Sequence, residues 1–429
     1  MDRKKILIIG AGRSATSLIH YLLLACKSNP WFISILDKNM ELAKQKLGNN
    51  LHGEVVNFDI NAEADKIKKY DLVISMLPPQ HHITVAQACV QYGKALLTAS
   101  YSSPQIQALH QVAIEKNSFI LMECGLDPGI DHMSALQMID EIKSKGGKIK
   151  SFKSYCGGLV ASESDTNKWG YKISWNPRNV VLAGQGGVSK YLENNKLKYL
   201  NYNRLFTKTD TISIPSIGSF EGYPNRDSLG FKDLYQLTDC ETFVRGTLRK
   251  AGFCEAWHAL VLIGLTDDSF YIENCKNYPQ KEIIERFITE EELKNKFTKS
   301  VLEKINELDL FSETLLPFER ATPAMILQFI IENKWKMAEN DQDMVILYHE
   351  IGYEIGKDFF TKKAILCLKG EKNGETAMSK TVGLPLGIAA KLILTNKINL
   401  KGVHLPITKE IYEPILAELA KNKIKLKEI

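Results

Sequence analysis

The stretch KKILIIGAGRSATSLIHYLLLACK, residues 4–27, decides the fold. Its residues 6–9 form a continuous apolar run, which is typical of a parallel strand that is buried on both faces. A tight Gly-Ala-Gly turn follows at residues 10–12, and apolar residues then recur at helical spacing from Leu18 onward. The order of strand, glycine turn and helix predicts a unit that binds a dinucleotide.

The turn has the pattern GxGxxA, in which each small residue has its own task. The first glycine permits the turn, the second lets the backbone approach a pyrophosphate, and the small third residue permits close packing of the helix. The helix N-terminus offers unpaired N–H groups to the same anion. We therefore expect the following residues to bind the cofactor: Gly10, Gly12, Arg13, Ser14 and Ala15.

A carboxylate at the end of the second predicted strand bears on the choice of cofactor. The strand WFISILD ends at Asp37, 22 residues after Ala15. Such a carboxylate accepts hydrogen bonds from an adenosine ribose and repels a 2′-phosphate, so it favours NAD over NADP. Lys38 lies next to it and weakens that preference, which leaves NADP open as a cofactor.

The alternation of strands and helices continues to about residue 125. EVVNFDI, DLVISMLP, KALLTASY and SFILMECG are predicted strands, and helices separate the last three. This pattern predicts an α/β fold with a Rossmann-type doubly wound parallel sheet, whose ligands bind at the carboxyl ends of the strands. We expect Leu77, Pro78 and Ser100 at those ends to contact the cofactor.

The loop ECGLDPGID, residues 123–131, follows the last of these strands. Its glycines and proline break regular strand pairing, so the loop lies at the edge where ligands bind. The loop, which contains Asp127, is therefore expected to face the substrate. Asp131 is expected to cap a helix that begins at His132.

From residue 148 onward, strands follow one another without regular helices between them. The segments KIKSFKSYCGGLVA, YKISWNPRNVVLAG, NYNRLF and ETFVRGTLRKAGF are strand-like, which predicts an α+β domain. Helical spacing marks an insertion at about 278–340, and a long apolar helix near the end needs a buried face. The expected domains are 1–125 for the dinucleotide, 126–375 for substrate and dimerisation, and 376–429 as helices that return to the first domain.

Composition excludes several classes of function. The net charge of +5 is too small to predict nucleic-acid binding, and the sequence predicts no membrane partner. The eight cysteines form no CxxC pair, which predicts reduced thiols, a cytoplasmic location and no metal site.

Seven segments resemble the saccharopine dehydrogenase family, in its glutamate-forming saccharopine reductase branch. They occur in order along nearly the whole chain: GLDPGIDHMSA, SYCGGL, YKISWNPRNV, YPNRDS, RGTLRKAGF, DMVILYHE and TVGLPLGIAAKLIL. The resemblance implies oxidation of saccharopine with NAD or NADP to L-glutamate and 2-aminoadipate 6-semialdehyde, or the reverse condensation. It also implies a role in lysine metabolism and, by analogy with the family, a homodimer. The fungal reductases that it resembles use NADP, so Asp37 departs from their pattern.

Saccharopine has three carboxylates, and arginine binds a carboxylate through two parallel hydrogen bonds. Arg226 in YPNRDS and Arg245 in RGTLR are the main candidates, ahead of Arg249 and Arg178. The resemblance makes these residues substrate contacts: Ser100, Asp127, Cys156, Arg226, Arg245 and Thr247. Ser100 is alternatively a helix cap, and Cys156 alternatively a packing residue.

Asp127 and Tyr101 are the candidate catalytic acid and base, with water as an alternative. Three other functions stay open. A related branch acts on carboxylated polyamines such as carboxynorspermidine, through the same imine chemistry. A regulator that binds NAD without turnover keeps the same fold, and a structural interaction protein binds no nucleotide.

Overall fold

The computed structural model describes residues 3–429, which form two compact units. The first unit extends to Lys145 and resumes at Gly374–Lys427, and the second contains Gly146–Asn373 and the last two residues. The division falls at residue 145, whereas the sequence placed it at 125. The helix between these positions belongs to the first unit because Asp140 on it accepts a hydrogen bond from Tyr412.

The N-terminal part of the chain alternates strands and helices. Its apolar runs form strands because both faces of each are covered, as the buried stretch Ile6–Ile9 illustrates. The strands are β1 Lys4–Ile9, β2 Trp31–Leu36, β3 Gly53–Val56, β4 Leu72–Ser75, β5 Ala95–Thr98 and β6 Phe119–Leu121. The helices are α1 Thr16–Cys26, α2 Met40–Leu47, α3 His82–Gln91, α4 Pro104–Gln107, α5 His110–Glu115 and α6 Ile130–Ser144.

The second unit is built on a mixed sheet, as the sequence predicted. Its strands are β7 Lys148–Val160, β8 Ser189–Glu193, β9 Lys196–Leu200, β10 Asp210–Ile214, β11 Gly218–Pro224, β12 Thr242–Lys250, β13 Ile272–Glu273, β14 Arg320–Ala321, β15 Asp343–Ile355 and β16 Asp358–Lys369. The large sheet has the order β10-β11-β12-β7-β15-β16, and β12 pairs with β7 in parallel while the neighbouring pairs are antiparallel.

Helices fill much of the rest of the second unit. They are α7 Pro177–Val181, α8 Leu229–Leu234, α9 Phe253–Ile263, α10 Gln280–Ile284, α11 Glu290–Lys296, α12 Lys299–Glu307 and α13 Pro323–Lys334. They enclose an aromatic core that includes Trp169, Trp257 and Trp335, each 1% exposed. The last four of these helices lie within the span expected to be a helical insertion, about 278–340.

Two strand predictions in the second unit were wrong. Residues 177–181 form α7, because Asn176 caps the helix and Pro177 fits its first position. Residues 202–207 form a 3₁₀ turn instead of the strand expected from NYNRLF. Leu205 and Phe206 of this turn are both buried.

The chain then returns to the first unit through α14 Ala377–Leu394, β17 Gly402–His404 and α15 Lys409–Lys421. It ends in β18 Lys427–Glu428, which lies next to β16 at the edge of the second sheet. The first sheet has the order β17-β6-β5-β4-β1-β2-β3, and all of its pairs are parallel. Strand order runs outward from β1 in both directions, which is the doubly wound arrangement. The predicted fold class is therefore confirmed.

Helix α14 packs its backbone directly against α1, the helix that follows the glycine turn. A Cβ atom on Gly383 would lie 2.8 Å from the Leu18 nitrogen and 3.1 Å from the Ser14 carbonyl oxygen. Ser379 on the same helix accepts a 2.9 Å hydrogen bond from the Ser17 amide. The C-terminal segment therefore fixes the helix whose N-terminus faces the cofactor turn.

Among the described residues, α14 is the one helix that is long and apolar enough to cross a membrane. It is 72% buried within the protein, so its apolar composition is accounted for by packing. The sequence prediction had recognised no segment of this length, because residues such as Lys380 and Lys391 interrupt its apolar run.

We expect Gly383→Ala to lower the melting temperature of the first unit by several degrees. The new methyl group would meet backbone atoms of α1, and overpacking of this kind costs about 1–3 kcal/mol. Differential scanning calorimetry measures the effect. Gly230→Ala on α8 is the control, because nothing lies within 4 Å of its added Cβ; equal melting temperatures for the two variants would contradict the packing argument.

Candidate active site

The glycine turn has the geometry that its sequence pattern predicts. Gly10 has φ of 100°, and a Cβ atom there would lie 3.2 Å from the backbone of Met76. Gly12 is different, because nothing lies within 4 Å of its added Cβ. The space beside Gly12 leaves room for a phosphate group against the backbone, so the turn fits a dinucleotide. Arg13 and Ser14 lie just after it and Ala15 is buried, with 1% exposure.

Asp37 lies at the end of β2 and is tied to the turn. One carboxylate oxygen accepts a 2.5 Å hydrogen bond from the Ala11 amide, and the other accepts a 2.7 Å bond from the Asn39 amide. These bonds fix the carboxylate at the carboxyl edge of the sheet. Lys38 beside it is exposed.

Lys46 on α2 is a cofactor-edge residue that sequence reasoning missed. Its ammonium group donates to the Gly12 carbonyl and, at 2.9 Å, to the Thr16 hydroxyl. Burial lowers the pKa of Lys46 to about 8, although the nearby Asp37 carboxylate opposes the shift. The edge beside the turn therefore has one carboxylate and one ammonium group. Only the contact of α2 with the turn reveals Lys46, and no sequence motif marks it.

The ends of β4 and β5 bring two more predicted sites to this edge. Leu77 is half-buried and Pro78 is exposed just after β4. Ser100 follows β5, and its hydroxyl lies 2.7 Å from Nε2 of His82. Ser103 fills the role of cap for α4, since its side chain accepts from the Ile106 amide. The alternative role of Ser100 as that cap is therefore excluded.

Tyr101 and Asp127, the candidate acid and base, are hydrogen-bonded to each other. The Tyr101 hydroxyl donates to a carboxylate oxygen of Asp127 at 2.9 Å. Asp127 is exposed and Tyr101 is partly exposed, so both groups are accessible to a ligand. A phenol and a carboxylate in contact can pass a proton between them and share it with a third group.

A buried hydrogen-bond network joins the loops that carry Tyr101 and Asp127. Glu123 is 4% exposed, and its carboxylate accepts a 2.9 Å bond from the Ser102 amide and lies 2.9 Å from His132 Nε2. The loop after β5 is thereby joined to the loop after β6. Asp131 does not cap the helix as predicted, because α6 begins at Ile130. Asp131 lies within the first turn and accepts from the Gly129 amide at 2.6 Å.

The second unit holds the remaining predicted residues on and beside β12. Arg245 and Thr247 alternate along this strand, so they share one face with Arg249. Cys156 on β7 is paired with Thr247, which places it on the same face. The Arg245 guanidinium lies 3.9 Å from the ring centre of Phe231, a cation–π contact, and Asn225 donates to Thr247 at 3.0 Å.

Arg249 is buried, with 3% exposure, and no carboxylate within the described part of the chain pairs with it. Its guanidinium donates to the Leu248 carbonyl and lies near the Tyr171 and Phe253 rings, while its Nε atom has no hydrogen-bond partner. The neighbouring carboxylate of Glu221 is occupied by the Gly252 and Cys254 amides. A buried cation without an anion is unfavourable unless a ligand supplies the anion.

Two further candidate arginines, Arg226 and Arg178, differ from Arg249. Arg226 is exposed in the loop after β11 and has φ of 58°, a left-handed conformation that is strained for arginine and typical of functional loops. Arg178 forms an ion pair with Asp268, which accounts for its charge structurally. Sequence analysis ranked Arg249 and Arg178 equally as candidates, and the structure separates them by the burial of Arg249 and by the ion pair of Arg178. Within residues 3–429, no group of three His, Cys, Asp or Glu side chains is arranged to hold a metal ion.

Both units match domains of known proteins. Residues 6–121 match the saccharopine dehydrogenase NADP binding domain, and residues 125–424 match the saccharopine dehydrogenase C-terminal domain. The chain belongs to the saccharopine dehydrogenase family. Its first unit is therefore a nicotinamide dinucleotide domain, and the protein is an oxidoreductase with a small-molecule substrate.

Relatives that match almost the whole of this chain share about a third of its residues. The L-glutamate-forming, NADP-dependent saccharopine dehydrogenase of Schizosaccharomyces pombe is 34% identical, over 99% of this chain and 98% of that protein. The crystallised L-Glu-forming enzyme of Saccharomyces cerevisiae is 32% identical, with a TM-score of 0.88 and 99% of each chain covered. The α-aminoadipic semialdehyde synthase of Arabidopsis thaliana is 32% identical over 99% of this chain, which corresponds to 44% of that longer protein.

We expect Arg249→Met to leave the melting temperature unchanged or to raise it. Methionine fills a similar volume, and removing a buried charge without a carboxylate partner is neutral or stabilising. Arg178→Met is the matched control and should lower the melting temperature by a few degrees, since it leaves the partly buried Asp268 without its cation. A larger loss for Arg249→Met than for Arg178→Met, measured by calorimetry, would contradict this view of Arg249.

Proposed function

We propose that this protein is a saccharopine dehydrogenase of the L-glutamate-forming type, with a role in lysine metabolism. It oxidises saccharopine to L-glutamate and 2-aminoadipate 6-semialdehyde, or runs the reverse reductive condensation. The observation that carries the proposal is the buried Arg249 guanidinium, which pairs with no carboxylate among residues 3–429 and shares a sheet face with Arg245 and Thr247. A substrate with three carboxylates supplies the missing anion.

In the oxidative direction, the CH₂ carbon of the secondary amine loses hydride, and the C–N bond becomes an imine. Water adds to the imine carbon, and the C–N bond of the resulting hemiaminal breaks. The nitrogen then leaves as the amine of glutamate and the carbon becomes an aldehyde. When the dinucleotide is bound, its nicotinamide ring supplies the hydride acceptor.

The residues of this chain bind the substrate and manage its protons. Arg226, Arg245 and Arg249 are assigned to the carboxylates, with Thr247 and Cys156 beside them on the sheet face. Ser100 is assigned to the substrate at the edge of the first sheet. The hydrogen-bonded Tyr101 and Asp127 are assigned to the proton that leaves the amine and to the proton that water gives up.

The three arginines also disfavour carboxynorspermidine, the alternative substrate. Carboxynorspermidine has one carboxylate and several ammonium groups, so a site with Arg226, Arg245 and Arg249 would repel most of its charge. Reduction of the nucleotide followed at 340 nm, with saccharopine and carboxynorspermidine in parallel, tests the proposal. We expect turnover with saccharopine and formation of glutamate. Nucleotide binding without turnover would favour a regulator, and absence of nucleotide binding would favour a structural interaction protein.

For the cofactor, we propose that NAD is preferred, although the compared fungal enzymes are named as NADP-dependent. Asp37 supports the preference, because its carboxylate is held at the edge where a ribose 2′-phosphate would approach. Lys46 works in the opposite direction, because a pKa that burial lowers to about 8 still leaves most of its ammonium groups charged at neutral pH. We give Asp37 the greater weight because the Lys46 ammonium group already donates to the Gly12 carbonyl and the Thr16 hydroxyl.

We also propose a homodimer and a cytoplasmic location. The hairpin of β15 and β16 exposes Phe359 and Phe360, 59% and 43% exposed, and a second copy would cover them. No disulfide joins the eight cysteines within the described residues, as in proteins of reducing compartments. Light scattering of the purified protein tests the dimer, and a monomeric mass would exclude it.

We expect Arg226→Ala to raise the KM for saccharopine by about tenfold or more, the loss typical of a charge-assisted hydrogen bond. The KM for the nucleotide should stay within about twofold, since Arg226 lies in the second unit. Steady-state kinetics with each substrate varied in turn measure both constants. Arg204→Ala, another exposed arginine of the same unit, is the control, and an unchanged saccharopine KM in Arg226→Ala would remove Arg226 from the site.

We expect Asp37→Ala to shift the ratio of kcat/KM for NAD to kcat/KM for NADP toward NADP by about tenfold, the loss of one like-charge repulsion near the surface. Lys46→Met should shift the same ratio in the opposite direction, because it removes a cation that attracts the 2′-phosphate. Both ratios come from the absorbance assay with the two nucleotides. If the ratio is the same in Asp37→Ala as in the unmodified protein, the choice of nucleotide is made elsewhere.

A further inference from the structure

His82 lies buried between two serine hydroxyls at the carboxyl edge of the first sheet. It is 1% exposed, and Ser75 at the end of β4 is fully buried. Nδ1 of His82 lies 2.9 Å from the Ser75 hydroxyl, and Nε2 lies 2.7 Å from the Ser100 hydroxyl. Thr98 is the next nearest group, with its hydroxyl 3.4 Å from Nε2. The imidazole therefore connects the ends of two neighbouring strands to a residue assigned to the substrate.

The ring is uncharged at neutral pH. Burial lowers the pKa of His82 to about 4, and the neighbouring His81 contributes to the shift. A neutral imidazole has one N–H group and one lone pair, so its two nitrogens have opposite hydrogen-bonding roles. The tautomer of His82 thus determines whether the Ser100 hydroxyl receives a hydrogen bond from the ring or gives one to it.

The two tautomers leave Ser100 with different properties toward a ligand. If Nε2 accepts, the Ser100 hydrogen is used internally, and the hydroxyl presents only lone pairs. If Nε2–H donates, the Ser100 hydrogen is available to a ligand acceptor, while Ser75 donates to Nδ1. Either arrangement links Ser75, His82 and Ser100 in one chain of hydrogen bonds in which each bond polarises the next, and the two chains run in opposite directions. A carboxylate ligand, which only accepts, requires the arrangement in which Nε2–H donates.

We propose that His82 is a positioning residue, which holds the Ser100 hydroxyl as a hydrogen-bond donor toward a carboxylate of the substrate. The proposal rests on the proposed function, because the ligand of Ser100 is taken to be an amino dicarboxylate. His82 itself does not touch the substrate. It acts through Ser100 alone.

The first test needs no substrate. Selective ¹⁵N labelling of histidine and long-range ¹H–¹⁵N correlation identify the tautomer, with His82 assigned by the loss of its signals in His82→Gln. We expect a proton on Nε2 and an acceptor shift for Nδ1. A proton on Nδ1 would overturn the proposal.

The second test uses kinetics. We expect His82→Leu to raise the saccharopine KM by about tenfold, with kcat and the nucleotide KM within about threefold of the unmodified protein. His82→Gln retains an N–H group near the position of Nε2, and it should restore the KM to within about threefold. In a Ser100→Ala background, His82→Leu should change the KM little further, because the group through which His82 acts is gone. His52→Leu, a histidine of the same unit outside the site, is the control.

Two results would overturn the proposal. One is a KM effect of His82→Leu that persists in full in the Ser100→Ala background. The other is a fall in kcat at constant KM. If the unmodified protein does not turn over saccharopine, the proposed function fails, and the tautomer measurement then still decides whether His82 holds Ser100 as a hydrogen-bond donor. If His82→Leu does not fold, the saccharopine KM of His82→Gln and the tautomer measurement still test the role of His82.

Discussion

In a parallel sheet every strand ends at the same edge, and this constraint places the site residues of the first unit. Residues as far apart in sequence as Gly12, Asp37, Ser100 and Asp127 follow four different strands, β1, β2, β5 and β6. The order of these strands in the sheet brings their loops together without any sequence proximity. The nucleotide turn, the Ser100 hydroxyl and the Tyr101–Asp127 pair share one edge for that reason.

The second unit contributes the arginine side chains that are proposed to bind the substrate carboxylates. Its sheet alternates Arg245, Thr247 and Arg249 along one strand, and the burial of Arg249 without a carboxylate is unfavourable in the absence of an anion. Burying such a group lowers the stability of the folded protein. It raises the affinity for a ligand carboxylate, because the cation is already desolvated before the ligand binds.

The sequence predicted the parallel sheet and the cofactor turn because both depend on local patterns, such as the run at residues 6–9 and GxGxxA. It failed where tertiary contacts decide the structure. Residues 177–181 were predicted as part of a strand, although Asn176 and Pro177 are helix-start signals, because their apolar residues also fit strands. Lys46, Glu123 and the buried state of Arg249 have no local signature. Their roles follow from which elements pack beside them.

The central proposal is that the dinucleotide and a substrate with several carboxylates bind together at the carboxyl edge of the first sheet. The most direct measurement is a crystal structure of the dead-end complex with saccharopine and the reduced nucleotide, which cannot react. The account predicts the nicotinamide C4 atom at about 3–3.5 Å from the CH₂ carbon next to the secondary amine, with a substrate carboxylate on the Arg249 guanidinium. Saccharopine bound too far from the nicotinamide for hydride transfer, with Arg249 still lacking an anion, would contradict it.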